Sequence, residues 1–248
     1  MNDEAELVFA ANRGDLQTVR ELLAEGADPN SDDGDWNALT ASSMRGHLRV
    51  VQELLNAGAD PNAMVRGGTA LLSAAGEGRL PVVRALLSAG ADPNAFEEGQ
   101  TISTILYAAA HGDGPDYLEV VRALLAAGAD PNIRGEEGVI ALYGDGRLPV
   151  VRVLIAAGAD PNTRGVFGMT ALLEAALDGN VPVIRELLAW GADPTVADVH
   201  GRTPLDYPVV QQAWQERLAA RLGMDEYVTR HNLPSDFSDK VFRNLYPR

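Results

Sequence analysis

The chain has 248 residues, of which 46% are hydrophobic and 22% are charged, an ordinary composition for a globular protein. It contains no cysteine, which excludes disulfides, thiolate catalysis and cysteine-ligated zinc or iron–sulfur sites. The formal net charge of -15 disfavours binding to nucleic-acid phosphates or to anionic membranes. It favours basic partners, although the same charge also serves solubility alone.

The beginning of the chain does not read as a secretory signal. Two of its first four residues, Asp3 and Glu4, are acidic and none is basic, whereas a signal peptide begins with basic residues, and no apolar stretch follows them. No apolar run reaches the length of a membrane span. We therefore expect a cytoplasmic protein. Lys240 is the only lysine beside many arginines, which is typical of a GC-rich bacterial genome.

Three phrases recur in the same order along the chain. The first reads Thr-Ala-Leu-Leu-x-Ala-Ala at Thr69 and Thr170, and the second is an apolar run of the Val-Val-x-x-Leu-Leu kind. The third, Gly-Ala-Asp-Pro-Asn, follows at intervals of 32, 32, 38, 30 and 33 residues. Its six copies begin at Gly26, Gly58, Gly90, Gly128, Gly158 and Gly191, the last copy ending in threonine.

The phrases predict a unit of helix, tight turn, helix and extended loop. The Val-Val-x-x-Leu-Leu spacing places apolar side chains on one stripe of a helix, and the glycine suits the left-handed residue that ends it. Aspartate before proline is driven into extended geometry, and asparagine can then bond its own backbone in a turn. Pro81, Pro149 and Pro182 stand at the start of a second helix, where a missing N–H costs nothing.

This period and these phrases resemble the ankyrin repeat family over about residues 3–220. The resemblance implies an all-α solenoid of helix-turn-helix repeats with short β-hairpin fingers between them. The family's Thr-Pro-Leu-His motif persists only in part, with Thr40, Leu72, Leu106 and Leu173 taken as its histidine positions. About seven repeats begin near Asp3, Ser31, Ala63, Ala95, Ile133, Thr163 and Val196.

Repeats four and five depart from the pattern. Repeat four is six residues longer than the 32-residue repeats before it, with two extra residues in the finger 96–101 and four around 112–117, where glycine and proline favour a protruding loop. Repeat five is two residues shorter, and its first helix carries Gly144, which weakens a helix by about 1 kcal/mol against alanine. We expect a short or irregular helix there, which reflects either drift in one copy or a site shaped for a partner.

The repeat phrases stop after Leu205. Residues 209–222 read as an amphipathic helix with Trp214 and Leu218 on one stripe, and it caps the stack because a terminal repeat must cover the last apolar face. We predict an ankyrin repeat domain over residues 1–222 and a tail over residues 223–248. The tail either completes the cap, the reading we prefer, or docks elsewhere.

No constellation of catalytic or metal-binding residues is visible. The four histidines lie in different repeats or in the tail, and the repeated aspartates belong to separate turns, so no two converge on one ion. We predict no catalytic residue, no metal, no cofactor and no enzymatic activity. The alternative is an enzyme with a site between tail and repeats, around His231, Asp236 and Asp239.

By resemblance to the family, a partner protein is held on the concave face, which the fingers and first helices build. Aromatic and arginine side chains are frequent interface anchors. For the finger aromatics Phe96 and Phe167, packing against the next finger is the alternative reading. The predicted partner-binding residues are Trp36, Met44, Arg45, Val65, Arg66, Phe96, Gln100, His111, Arg134, Val166, Phe167 and Asp178.

The sequence thus predicts a non-catalytic protein-binding module. We expect it to be monomeric when free and to take another protein as its partner, with a basic surface favoured by charge. An alternative within the same class is a bacterial inhibitor or immunity-type protein that masks a basic toxin or enzyme. That alternative predicts salt-sensitive association.

Overall fold

The computed structural model describes residues 3–66, 68–95, 104–112, 114–135, 141–143 and 146–222. Secondary structure in these residues is helical, so the predicted all-α fold is confirmed, and none of the described helices is long and apolar enough to cross a membrane. The helices are α1 Asp3–Arg13, α2 Leu16–Ala24, α3 Ala38–Arg45, α4 Leu48–Asn56, α5 Ala70–Gly76, α6 Leu80–Ser88, α7 Ile105–His111, α8 Tyr117–Ala126, α9 Leu148–Ala156, α10 Ala171–Leu177, α11 Val181–Ala189 and α12 Pro208–Leu222.

The chain divides into two compact units. Unit 1 comprises residues 1–145 with 156–159, and unit 2 comprises 146–155 with the residues from 160 onward. In unit 1 the first helices α1, α3, α5 and α7 pack side by side, and the second helices α2, α4, α6 and α8 form the adjoining layer. In unit 2 α11 lies between α10 and α12. The boundary predicted at residue 222 stays a prediction.

The apolar phrases form the core as predicted. Val50, Val51 and Leu54 of α4 are buried, as are the corresponding residues of α6, α8, α9 and α11. Each first helix with a resolved cap begins at a threonine or asparagine whose side chain accepts a backbone N–H three residues on. The cap at Thr104 shifts the alignment of repeat four, so the family's histidine position holds Tyr107 and the assignment of Leu106 was wrong.

A ladder of asparagine hydrogen bonds joins successive repeats. Asn62 donates from Nδ2 to the carbonyl of Gly90 at 3.1 Å, and its Oδ1 accepts the backbone N–H of Asp92 at 2.7 Å. Asn30 and Asn94 make the same pair of bonds in unit 1. The prediction that asparagine bonds its own backbone was therefore wrong. The local bond is made by the aspartate of the same turn, because its carboxylate accepts the backbone N–H of the asparagine two residues on.

The fingers are tighter than the predicted hairpins. Finger 2 (residues 31–36) and finger 3 (residues 63–68) are each closed by one isolated antiparallel bridge, Asp32 with Asn37 and Val65 with Gly68. In unit 2, finger 6 (residues 163–169) and finger 7 (residues 196–202) are each closed by a backbone bond spanning four residues. Segments as short as these fingers are held mainly by hydrogen bonds within their turns, such as the one that the Asp33 carboxylate accepts from the Trp36 N–H at 2.8 Å.

The longer inter-helix loop of repeat four lies against repeat three instead of protruding. A Cβ on Gly112 would come within 2.3 Å of the Gly76 carbonyl oxygen, and one on Gly114 within 2.4 Å of the Glu77 carbonyl oxygen. Glycine is required here because two backbones meet without room for a side chain. The prediction of a protruding loop was wrong, since glycine served close approach and not exposure.

Only three residues of the predicted first helix of repeat five are described, so its full length stays a prediction. Its described residues, Ala141–Tyr143, form a single 3₁₀ turn. Ala141 and Leu142 are buried and the turn packs on α7, so these residues contribute to the apolar core.

The cap helix α12 begins one residue before the predicted start. Val210 and Ala213 form its buried face, while Trp214 and Leu218 of the predicted stripe are half-buried. The Gln211 amide donates to the Leu205 carbonyl at 2.6 Å and anchors the helix to the turn before it. The stripe prediction thus identified the helix but placed its most buried face one position away.

Helix α3 carries a buried polar side that other first helices lack. Thr40 and Ser43 are fully buried, and neither hydroxyl has a hydrogen-bond partner among the described residues. Ser42 next to them does bond, to the Ala38 carbonyl at 2.8 Å. Repeats three, four and six have alanine at the position of Ser43.

We expect Ser43→Ala to stabilise the protein by about 1 kcal/mol, because it removes an unpaired buried hydroxyl and improves helix propensity. The denaturation midpoint in urea, followed by circular dichroism, measures this. Ser42→Ala is the matched control and should be close to neutral, since it loses a bond as it gains propensity. A Ser43→Ala midpoint below that of Ser42→Ala would show that the Ser43 hydroxyl is bonded in solution.

Candidate partner-binding surface

Fingers 2 and 3 bring three of the predicted residues together in unit 1. Trp36 is half-buried at the base of finger 2, and Val65 is half-buried in finger 3. The guanidinium of Arg66 lies 3.2 Å from the carboxylate of Asp35, which links the two fingertips through an exposed ion pair. An ion pair this exposed contributes at most about 1 kcal/mol, so Arg66 remains available to a partner's carboxylate or aromatic ring.

Two predicted residues end α3, at the opposite end of the helix from finger 2. Met44 is half-buried, and its carbonyl accepts a hydrogen bond from the Arg79 guanidinium at 3.2 Å. Arg45 is exposed and donates to the Asn12 side chain at 3.2 Å. A helix of this length separates its ends by roughly 12 Å, so Arg45 and Trp36 do not touch the same part of a small ligand.

His111 ends α7 and is half-buried. Its Nδ1 lies 2.9 Å from the Tyr107 carbonyl, and its ring stacks on that of Tyr107 with centroids 3.7 Å apart. The side chain is therefore held in one orientation at a position where other first helices have methionine, glycine or leucine. Arg134 is exposed at the start of its finger, whereas Phe96 and Gln100 lie outside the described residues.

Phe167 is the most exposed large apolar residue in the described part of the chain, with 67% of its surface accessible. It also adopts a left-handed backbone conformation, φ 53° and ψ 22°, which costs an L-residue other than glycine about 1–2 kcal/mol. Val166 begins the same turn, and Asp178 is exposed at the end of α10. Neither the exposure of the Phe167 ring nor its left-handed backbone stabilises the fold.

Finger 7 has its own buried charge. Asp198 is buried, and desolvation tends to raise its pKa, but hydrogen bonds from the backbone and guanidinium of Arg202 and from the His200 N–H hold the pKa below its usual range. The Arg202 guanidinium lies 2.7 Å from the carboxylate. The pair is electrically neutral and fixes the shape of the finger.

Several exposed apolar side chains were not predicted as site residues. Val199 in finger 7 is 62% exposed, Phe9 in α1 is 53% exposed with the Arg13 guanidinium over its ring, and Trp190 at the end of α11 is 53% exposed. A signal existed for Trp190, because Ala57, Ala89, Ala127 and Ala157 occupy the same place in other repeats. For Val199, no pattern in the sequence indicated exposure.

The structure brings no reactive cluster together among the residues it describes. No group of three or more histidine, aspartate or glutamate side chains converges there as metal ligands. The alternative enzyme site at His231, Asp236 and Asp239 lies outside the described residues.

The sequence matches the family models for ankyrin repeats. The model described as three copies of ankyrin repeats matches residues 7–97 and 139–222, and the single-repeat model matches residues 103–136. The chain belongs to the ankyrin repeat family, and its all-α fold is the ankyrin-repeat solenoid. Ankyrin repeats are generally protein-interaction modules.

Solved structures agree with this assignment. The human ASB11 ankyrin repeat domain is 27% identical with a TM-score of 0.72, over 85% of this chain and 96% of that one. The ankyrin repeat domain of Bcl-3, a member of the IkappaB protein family, is 27% identical with a TM-score of 0.67, over 83% and 96%. An ankyrin repeat domain from Acinetobacter baumannii is 30% identical with a TM-score of 0.68, over 77% and 100%. No curated protein matches the sequence.

Proposed function

We propose that this chain is a non-catalytic module that holds a partner protein against its fingers and the ends of its first helices. The observation that carries the proposal is the set of exposed finger residues that the repeat scaffold does not need, Arg66 and Phe167 above all. Aromatic and arginine side chains supply much of the binding energy at protein interfaces. The family's general role as an interaction module supports the same reading.

The partner's surface is basic where it meets the first part of the chain. Residues 1–145 contain 23 acidic and 9 basic side chains, so this stretch carries nearly all of the net charge. Complementary charge speeds encounter and makes it sensitive to salt. The protein acts in the cytoplasm and is a monomer before it binds. An inhibitor or immunity-type protein that masks a basic toxin or enzyme is one form this function takes.

The test starts from affinity purification of the partner and continues with calorimetry of the purified pair. We expect the Trp36→Ala, Arg66→Ala double variant to lose at least about tenfold in affinity, since one interface anchor is worth upward of 1 kcal/mol. Arg49→Ala with Arg84→Ala is the matched control, because both arginines are exposed on second helices. Equal affinity for test and control variants would sink the assignment to the fingers. Affinity unchanged between low and high salt would remove the argument from charge.

A further inference from the structure

Charge and exposed apolar surface are divided unequally along the chain. Residues 146–222 carry 8 acidic and 7 basic side chains and are almost neutral, in contrast to the acidic stretch before them. The same residues hold most of the large apolar side chains exposed in the described part of the chain, Phe167, Leu177, Val181, Trp190 and Val199. The second stretch therefore offers a partner a different chemistry from the first.

Fingers 6 and 7 are fixed to each other through their backbones. The Val199 N–H donates to the Phe167 carbonyl at 2.8 Å, and the Arg164 guanidinium donates to the Ala197 carbonyl at 2.5 Å. Their two exposed apolar residues, Phe167 and Val199, thus belong to one surface. Because these bonds join the two fingers in the chain without a partner, binding needs less rearrangement of the fingers and costs less entropy.

The charge of this finger pair is positive. Asp198 is buried and neutralised by Arg202, which leaves Arg164 as the exposed charge without an ion-pair partner among the described residues. Finger 2 is the opposite case, with Asp32, Asp33 and Asp35 exposed around one tryptophan. A basic segment suits finger 2, whereas an acidic one suits fingers 6 and 7.

We propose that fingers 6 and 7 bind a short segment of the partner protein in which an apolar side chain lies next to a carboxylate. The apolar side chain packs on Phe167 and Val199, and the carboxylate accepts charge-assisted hydrogen bonds from Arg164. Phe167 has an exposed ring and a left-handed backbone conformation that glycine would adopt with less strain. This inference rests on the proposed function as a protein-binding module, and it specifies the chemistry of a second contact.

The probe is a library of random 12-residue peptides displayed on phage and selected on the full-length chain. We expect selected peptides to share an apolar residue beside aspartate or glutamate. The best one, made synthetically, should lose at least about tenfold in affinity on a Phe167→Gly, Val199→Ser variant, and several-fold on Arg164→Gln. Trp190→Ala is the control, because it removes another exposed aromatic residue outside the two fingers and should leave the affinity unchanged.

Three results would overturn the inference: no selected peptide at all, no selected peptide that loses affinity on the Phe167→Gly, Val199→Ser variant, or a peptide that loses affinity on that variant but is basic. The urea midpoint of that variant separates lost contact from lost fold, and it should not fall because glycine relieves the left-handed strain. Failure here with the Trp36, Arg66 result intact would refute only the second contact. Peptide binding at fingers 6 and 7 with no effect of Trp36 and Arg66 would instead refute the proposed surface in unit 1.

Discussion

Gly112→Ala is expected to destabilise the protein by about 3 kcal/mol, the upper part of the range for overpacked sites. The new methyl group would sit 2.3 Å from the Gly76 carbonyl oxygen and 3.1 Å from the Ala108 carbonyl oxygen. Both neighbours are backbone atoms of packed first helices, so neither can swing aside as a side chain would. Gly112 has φ of -61°, so backbone preference plays no part and the effect is steric.

Gly76→Ala provides the control from the other side of the same contact. A Cβ there would meet only the Ala108 methyl at 3.8 Å, an ordinary van der Waals distance. Since Gly76 ends α5, alanine should stabilise the helix by up to about 1 kcal/mol. Urea denaturation of both variants measures the pair. A cost below about 1 kcal/mol for Gly112→Ala would show that the loop does not lie on repeat three.

Asn62→Ala is expected to cost about 2 kcal/mol, because it removes two hydrogen bonds to the backbone of the next repeat at about 1 kcal/mol each. For a chain of this size the melting temperature would fall by roughly 4–8 °C. Thermal unfolding followed by circular dichroism measures the shift.

Asn56→Ala is the matched control for the ladder. It is the same substitution on an exposed residue at the end of α4, where the side chain makes no hydrogen bond to a described residue. Its effect should stay within about 0.5 kcal/mol, as for most surface positions. If both variants unfold at the same temperature, the ladder contributes nothing measurable and layer packing alone joins the repeats.

The helices and their order were predictable because the same sequence pattern recurs in several repeats of the chain. Val50, Val51 and Leu54 occupy one stripe, and their equivalents in other repeats give the same answer, so an error in one copy is corrected by the rest. Gly58 was correctly assigned the left-handed helix end, with φ of 95°. Contacts between repeats were harder to predict. In the sequence Asn62 resembles a local turn residue, and only the structure shows that its side chain bonds to the backbone of the next repeat.

The predicted site residues stay a prediction, and the exposure of their side chains could not be predicted from the sequence. Trp36 and Phe167 were singled out together as aromatic fingertips, yet Trp36 is half-buried and Phe167 is the most exposed large apolar side chain among the described residues. Burial depends on how neighbouring fingers lie, which a single repeat does not encode. The role of glycine was also ambiguous in the sequence. Gly112 and Gly114 led us to predict an open loop, whereas the structure places them in close contact with the backbone of repeat three.

The asparagine ladder keeps its geometry when repeats change length. The bond from Asn62 to Gly90 spans 28 residues at 3.1 Å, that from Asn94 to Gly128 spans 34 residues at 3.0 Å, and that from Asn132 to Gly158 spans 26 residues at 3.0 Å. For protein engineering, this means that a single repeat could be exchanged for another, with the junctions placed at the Asp-Pro-Asn turns. A graft of a longer or shorter ankyrin repeat should dock on both neighbours provided that this asparagine is kept.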